Sequence, residues 1–298
     1  MKQNKWQMMS AAMTGLKHSS INKSGQDRVY NLTRNGVLVI ALADGAGSYK
    51  YPEQGAELVC QVICNELSDN FEDIYSFNLE DVIIRLCNII QSPLSKLSAE
   101  LDCDIYELSS TLLCVAVKDG RYIALHIGDG IIGYNRDFGT LEPLSLPENG
   151  ETPNSTFMTT GSNLSRHLRV LRDTLENISG FILMSDGSGH VLFSNKEHFF
   201  GNNAQKLINL IQKGRYQQTE VNQFVEKLLV PNCKVFDDCS LNIITLINDL
   251  EKCTSDNKSN VPLEKHNIVY YRIKDKIRKN KSKYKSMIKK FKEFKHAE

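Results

Sequence analysis

No apolar stretch in this 298-residue chain approaches the roughly 18 residues that a bilayer-spanning helix requires, so a helical membrane protein is excluded. The opening residues, Met1-Lys2-Gln3-Asn4-Lys5-Trp6, lack the apolar core of a secretory signal. Eight cysteines are present, yet none forms a Cys-x-x-Cys pair and none is spaced with histidine as in a zinc site. Cys60 and Cys64, four apart on an expected helix, read as small core residues. A reduced, cytoplasmic protein is the expectation, and the sequon Asn154-Ser155-Thr156 is then a chance match. No phosphate-binding P-loop occurs. Ser185 and Ser188 lack the Gly-x-Ser-x-Gly elbow, which argues against a Ser/His/Asp nucleophile. There is no internal repeat.

What is present is apolar material for a sizeable core, 41% of residues, and an uneven distribution of charge. The formal net charge of +1 hides a basic tail: residues 271–298 hold twelve Lys/Arg against three acids, a local +9 that leaves −8 on residues 1–270. Within that tail Ile277, Tyr284, Ile288 and Phe291 fall on one helical stripe. Residues 1–248 read as the folded domain, 249–262 as a linker and 263–298 as a lysine-rich helix. Such a helix can dock on the acidic body, on anionic lipid, on nucleic acid or on an acidic protein.

Short apolar runs bounded by Gly and Asp predict strands at 6–14, 27–33, 37–43, 110–118, 121–128, 131–135, 168–175, 180–185 and 241–247. Asp119-Gly120 is a strong hairpin turn. Helical spacing predicts helices at 53–67, 80–101, 203–213 and 219–229, with Pro93 kinking or breaking the second. Residues 137–165 read as a long loop with little regular structure. Helices arriving in pairs, rather than alternating with strands, argue against a doubly wound sheet. The expected fold is α+β, a four-layer α-β-β-α sandwich of two antiparallel sheets flanked by helix pairs.

Four of the strand boundaries carry aspartate. The run 37–43 ends in Asp44-Gly45-Ala46-Gly47, 181–184 ends in Ser185-Asp186-Gly187, and 122–127 ends in Gly128-Asp129-Gly130. Asp237-Asp238 instead precedes its strand. In an antiparallel sheet the start of one strand lies beside the end of its neighbour, so these acids can converge on one edge. A lone Asp-Gly is most often a turn, and Gly128-Asp129-Gly130 keeps that reading. Converging carboxylates suit hard cations such as Mg²⁺ and Mn²⁺. A pair of such ions can activate a water for in-line attack on a phosphoryl centre.

The ordered set resembles the PP2C (PPM) family of metal-dependent protein serine/threonine phosphatases in its compact bacterial form. The motifs that carry the resemblance are Gly25-Gln26-Asp27, Asp44-Gly45-Ala46-Gly47, Ser109-Ser110-Thr111, Gly128-Asp129-Gly130, Ser185-Asp186-Gly187 and Asp237-Asp238-Cys239-Ser240, over roughly residues 8–248. The resemblance implies hydrolysis of phosphoserine and phosphothreonine with two Mn²⁺ or Mg²⁺ ions, a phosphoprotein substrate and a cognate serine/threonine kinase. It assigns metal ligation to Asp44, Asp186, Asp237 and the Gly45 carbonyl, makes Asp27 a holder of metal-bound water, and has Asp238 orient its loop. Asp27, Asp44, Asp186 and Asp237 would thus form the catalytic set. Three departures stand out. Ala46 replaces the histidine that many relatives use as general acid, with His18 and His126 as substitutes that also suit purely structural roles. No Arg precedes Asp27 to grip phosphate, which leaves Lys17, His18 or Lys23. The segment after Gly128-Asp129-Gly130 offers Glu148 and Glu151 where relatives have a third-ion aspartate, putting that third ion in doubt. The rival reading, motivated by Ala46 and the missing Arg, is a weak or inactive PP2C-like module that binds phosphoproteins.

Overall fold

Alternate residues of the central strands go to opposite faces, and that parity builds the layers of the computed structural model. It describes residues 5–20, 22–150, 155–214, 217–229 and 237–248. In chain order these give β1 (Trp6–Met13), α1 (Leu16–Ser19), β2 (Arg28–Arg34), β3 (Val37–Ala43), α2 (Pro52–Asp69), α3 (Phe71–Ser76) and α4 (Leu79–Glu100). A short 3-10 helix, Ile105–Leu108, leads to β4 (Leu112–Lys118), β5 (Arg121–Ile127), β6 (Ile131–Arg136), β7 (Leu141–Ser145), α5 (Leu164–His167), β8 (Arg169–Thr174) and β9 (Ile178–Met184). Then come α6 (Asp186–Leu192), β10 (Phe193–Ser194), β11 (Phe199–Phe200), α7 (Asn202–Gln212), α8 (Gln218–Leu229) and β12 (Cys239–Leu246).

Two five-stranded sheets result, in the orders β1-β12-β9-β6-β7 and β2-β3-β4-β5-β8, and every pairing in them is antiparallel. On β3, Ile40 and Leu42 face the other sheet and meet Phe181, Leu183 and Ile244. Val37, Val39 and Ala41 face outward onto the buried stripe Ala56, Val59, Cys60, Ile63, Cys64 and Leu67 of α2 and onto Leu86, Ile90 and Leu94 of α4. On the other sheet Met9, Ile182, Met184, Leu241 and Ile243 pack against Leu207, Ile208 and Ile211 of α7 and Val221 and Val225 of α8. The α-β-β-α sandwich is therefore as the sequence predicts.

Three local expectations are corrected. Pro93 does not break α4, which runs unbroken from Leu79 to Glu100 with Pro93 inside it. Leu86, Ile90 and Leu94 are fully buried on both sides of the proline, and tertiary packing of that stripe outweighs the missing backbone donor. The stretch 137–165, read as a loop with little regular structure, contains the short strand β7, an edge strand whose Pro143 is tolerated where no further neighbour needs its N–H. The helices α3 and α6 and the β10–β11 hairpin were also absent from the sequence-based reading. The expected linker 249–262 and lysine-rich helix 263–298 lie outside the described residues. Among the described residues no helix is long and apolar enough to cross a membrane.

Candidate metal centre

Strand register places the first two acids. Arg28 pairs with Ala43, so Asp27 and Asp44 extend side by side from the same ends of β2 and β3. The loop after β3 is then zipped to the start of β4. The Asp44 N–H donates to Thr111 Oγ1 at 3.0 Å, and the Thr111 N–H returns to the Asp44 carbonyl at 2.9 Å. Gly45 bridges Ser110, and the Ala46 N–H donates to the Ser109 carbonyl at 2.9 Å. A Cβ on Gly45 would lie 2.8 Å from the Pro52 carbonyl carbon and 3.0 Å from the Gln26 carbonyl oxygen. The backbone passes there too closely for any side chain.

The facing sheet supplies the others. Met184, the last residue of β9, pairs with Leu241 of β12 on one side and with Ile131 of β6 on the other. Asp186 just after β9, Asp237 and Asp238 just before β12, and Asp129 just before β6 therefore gather at one end of that sheet. Ser185 and Ser240 tie the two strand ends together, the Ser240 N–H donating to Ser185 Oγ at 3.0 Å.

Asp238 is a latch. Its carboxylate accepts the Gly15 N–H at 2.7 Å and the Gln26 N–H at 2.5 Å, and His18 Nδ1 stands 3.0 Å away. The side chain is 2% exposed, and these contacts fasten residues 15–26 to the root of β12. A Cβ on Gly187 would come within 2.1 Å of the Asp238 carbonyl oxygen, so the start of α6 is packed against the same root.

The electrostatics report the convergence. Burial pushes Asp27 up to about 7, the charge of Asp238 adds to the rise, and the hydroxyls of Ser240 and Ser185 temper it. Both Asp27 oxygens are buried, and neither makes a hydrogen bond of good geometry. Asp44 is held well above the usual carboxylate range by burial first, then by the charges of Asp27 and Asp186, with Asp237 contributing less. Burial also raises Asp186, followed by the charges of Asp129 and Asp237. The structure thus brings Asp27, Asp44, Asp186 and Asp237 into one electrostatic cluster. Among the described residues no three acidic, imidazole or thiol groups are drawn up as a closed cage.

Several residues stand otherwise than the sequence suggested. Asp129, read as a turn residue, belongs to the cluster beside Asp186, and its Oδ2 accepts the Thr156 hydroxyl at 2.6 Å. His18 is buried against Asp238. His126 is fully buried, with Nδ1 2.8 Å from Ser145 Oγ and Nε2 3.1 Å from the Gly128 carbonyl, and burial lowers it to about 3. His126, bonded at both ring nitrogens and held neutral, is not free to serve as a general acid. Glu148 is engaged by His167 at 2.9 Å and Arg169 at 3.5 Å, and Glu151 lies outside the described residues. Lys23 is exposed. The better-placed cation is Lys17, whose Nζ would be 3.0 Å from a Cβ on Gly47 and so rests on the Asp44–Gly47 loop. The only sequence signal for that placement is its position next to His18, and nothing in the pattern marked His18 as buried.

Solved structures share this architecture. A bacterial serine phosphatase superposes with a TM-score of 0.56 at 15% identity, covering 83% of this chain and 98% of that one. Serine/threonine phosphatase Stp1 from Staphylococcus aureus gives 0.54 at 16% identity, covering 82% and 95%. The catalytic domain of the serine/threonine phosphatase PstP, solved in complex with two manganese ions, gives 0.53 at 16% identity, covering 82% and 99%. At such identities the likeness establishes the fold. No protein of curated function matches the sequence. The model of the protein phosphatase 2C family matches residues 14–226, and the chain belongs to that family. By family it is a protein phosphatase.

Proposed function

We propose that the chain hydrolyses phosphoserine and phosphothreonine in proteins, using two Mn²⁺ or Mg²⁺ ions held by Asp44, Asp186, Asp237 and the Gly45 carbonyl. The observation that carries this reading is the meeting of acids from two sheets at one end of the sandwich, with both Asp27 oxygens buried beside Asp44 and making no hydrogen bond of good geometry. An all-oxygen donor set of this kind fits a hard cation, and burial otherwise forces the Asp44 and Asp186 carboxyls toward their neutral form. When bound, a pair of divalent ions activates water and neutralises charge on phosphoryl oxygens.

The chain's own residues divide the remaining work. Asp44, just after the end of β3 and beside Asp27, would hold the ions together with Asp186 and Asp237. Asp27 would accept hydrogen bonds from water held by the ions, and Asp238 fixes the segment that carries Asp27 by accepting the Gln26 N–H. Lys17 offers an ammonium to the phosphate, replacing the expected roles of His18, which is spent on Asp238, and of Lys23. With Ala46 at the usual histidine position and His126 bonded at both ring nitrogens, the leaving alkoxide takes its proton from solvent. Loss of a positioned acid costs about 10²–10⁴-fold, so turnover is slow.

Ala46 at the usual histidine position and the lack of an Arg before Asp27 favour a second reading, a family member that binds phosphoproteins with little or no turnover. Hydrolysis of a phosphothreonine peptide by the full chain separates the two. Mn²⁺-dependent release of phosphate, abolished by EDTA, is the result expected of the enzyme. Retained peptide binding without phosphate release would favour the binding module.

A further inference from the structure

Thr156, Thr159 and Thr160, none of them in the acidic cluster, tie the two sheets together at the end where the acids meet. Thr156 Oγ1 donates to Asp129 Oδ2 at 2.6 Å, just before β6. Three residues on, the Thr159 N–H donates to the Ser110 carbonyl at 2.9 Å, and its hydroxyl donates to the same oxygen at 3.0 Å. Thr160 Oγ1 lies 2.6 Å from Ser109 Oγ. Ser109 and Ser110 are the residues that hold Ala46 and Gly45. Residues 156–160 therefore reach Asp129 of one sheet and, at their other end, the partners of the Asp44 loop of the other sheet.

This segment is itself held from several directions. Thr159 and Thr160 are buried. Phe157 stacks on His167, with ring centroids 3.4 Å apart and planes 13° from parallel. His167 Nδ1 is 2.9 Å from Glu148, whose own N–H donates to the Gly128 carbonyl at 2.9 Å. From α4, Gln91 Nε2 donates to the Gly161 carbonyl at 2.9 Å. Thr156 thus offers its hydroxyl from a backbone fixed on both flanks. Asp129 needs such a hold. It precedes β6, whose Ile131 pairs with Met184, and so it stands beside Asp186. Burial first, and the charge of Asp129 next, raise the Asp186 carboxyl. Two carboxylates so placed repel, and a half-exposed Asp129 left to itself turns toward solvent. The Thr156 hydroxyl opposes that turn.

We propose that Thr156 is a positioning residue, whose hydroxyl keeps the Asp129 carboxylate beside Asp186 and thereby strengthens the hold of the acidic centre on divalent cations. The proposal rests on the two-ion reading and deepens it, since Thr156 acts only through the negative charge that it keeps in place. A hydrogen bond to a charged group is stronger than a neutral one, so its loss is large enough to read in a binding constant.

The test is calorimetric titration of Mn²⁺ into the full chain after EDTA stripping and dialysis. Thr156→Val keeps the shape and removes the hydroxyl; it should raise the Kd for Mn²⁺ about three- to tenfold. Thr156→Ser restores the donor and should stay within about twofold of wild type. In an Asp129→Ala background, Thr156→Val should add nothing further, because the two act as one unit. With p-nitrophenyl phosphate, Thr156→Val should need correspondingly more Mn²⁺ for half its maximal rate, with the rate at saturating Mn²⁺ within about twofold. Unchanged Mn²⁺ affinity in Thr156→Val, equal losses in the Val and Ser variants, or an undiminished effect without Asp129 would overturn the proposal. A lower urea midpoint of the metal-free variant with wild-type Mn²⁺ affinity would likewise leave Thr156 a structural residue only. A wild-type chain that binds no Mn²⁺ would instead remove the two-ion reading and, with it, the part given to Thr156.

Discussion

Asp44 and His126 show two opposite uses of burial for an ionisable side chain. At Asp44, desolvation and three neighbouring acids disfavour the anion, so neutralising the position relieves repulsion. Asp44→Asn should lower peptide hydrolysis by more than about 10³-fold, as loss of a main electrostatic element does, while metal-free thermal stability stays level or rises. A variant that unfolds would show that Asp44 is needed for structure. His126 is held neutral, its ring lowered from 6.5 to about 3 by burial first and by the nearby Arg169 second. A base with a depressed folded pKa binds fewer protons folded than unfolded. Its contribution is therefore full above about 6.5 and is lost as pH falls toward about 3. Between pH 7 and pH 5 this group should cost on the order of 2 kcal/mol of stability. Urea unfolding of His126→Gln should show a shallower acid dependence by that amount, and an unchanged slope would count against it. The acids were legible in the sequence because each ends or begins an apolar run. Asp129 was not, because a Gly-Asp-Gly turn looks the same whether its carboxylate faces solvent or Asp186.

At the scale of elements, the latch at the root of β12 organises the site. Asp238 collects two backbone donors and one imidazole from residues 15–26, which have little regular structure of their own to hold them. Asp238→Ala leaves those buried donors without an acceptor and should destabilise the fold by about 3–5 kcal/mol, read as a fall in the urea midpoint. Asp238→Asn keeps one acceptor oxygen and should lose less; equal losses would mean that the latch works by packing alone. The strands and the four long helices were readable from periodicity, since α2 and β3 each bury one regular face. The unbroken α4 and the strand β7 were not, because proline is a local signal and both elements are decided by neighbours distant in sequence. The α1 turn, with the buried His18, is set by Asp238 from the far end of the chain.

For the whole molecule, the two-sheet sandwich closes when β12 pairs with β1 and β9, and the acids of the proposed centre all lie before the end of that strand. A chain ending at Leu250 should therefore keep its hydrolysis, and a folded truncation without activity would assign the lysine-rich tail a part in catalysis. The acidic body and basic tail were plain from charge counting, while the layer order followed from helices arriving in pairs. What charge counting left unseen was how the two sheets bring their acids to one end, which only the register of β2 on β3 and of β9 on β12 decides. The most direct test is phosphate release from a phosphothreonine peptide by the full chain, stripped with EDTA and then resupplied with Mn²⁺, beside Asp44→Asn. The account predicts no release when stripped, recovery with Mn²⁺ in wild type and none in the variant. Equal release with and without metal, or an active Asp44→Asn, would contradict it.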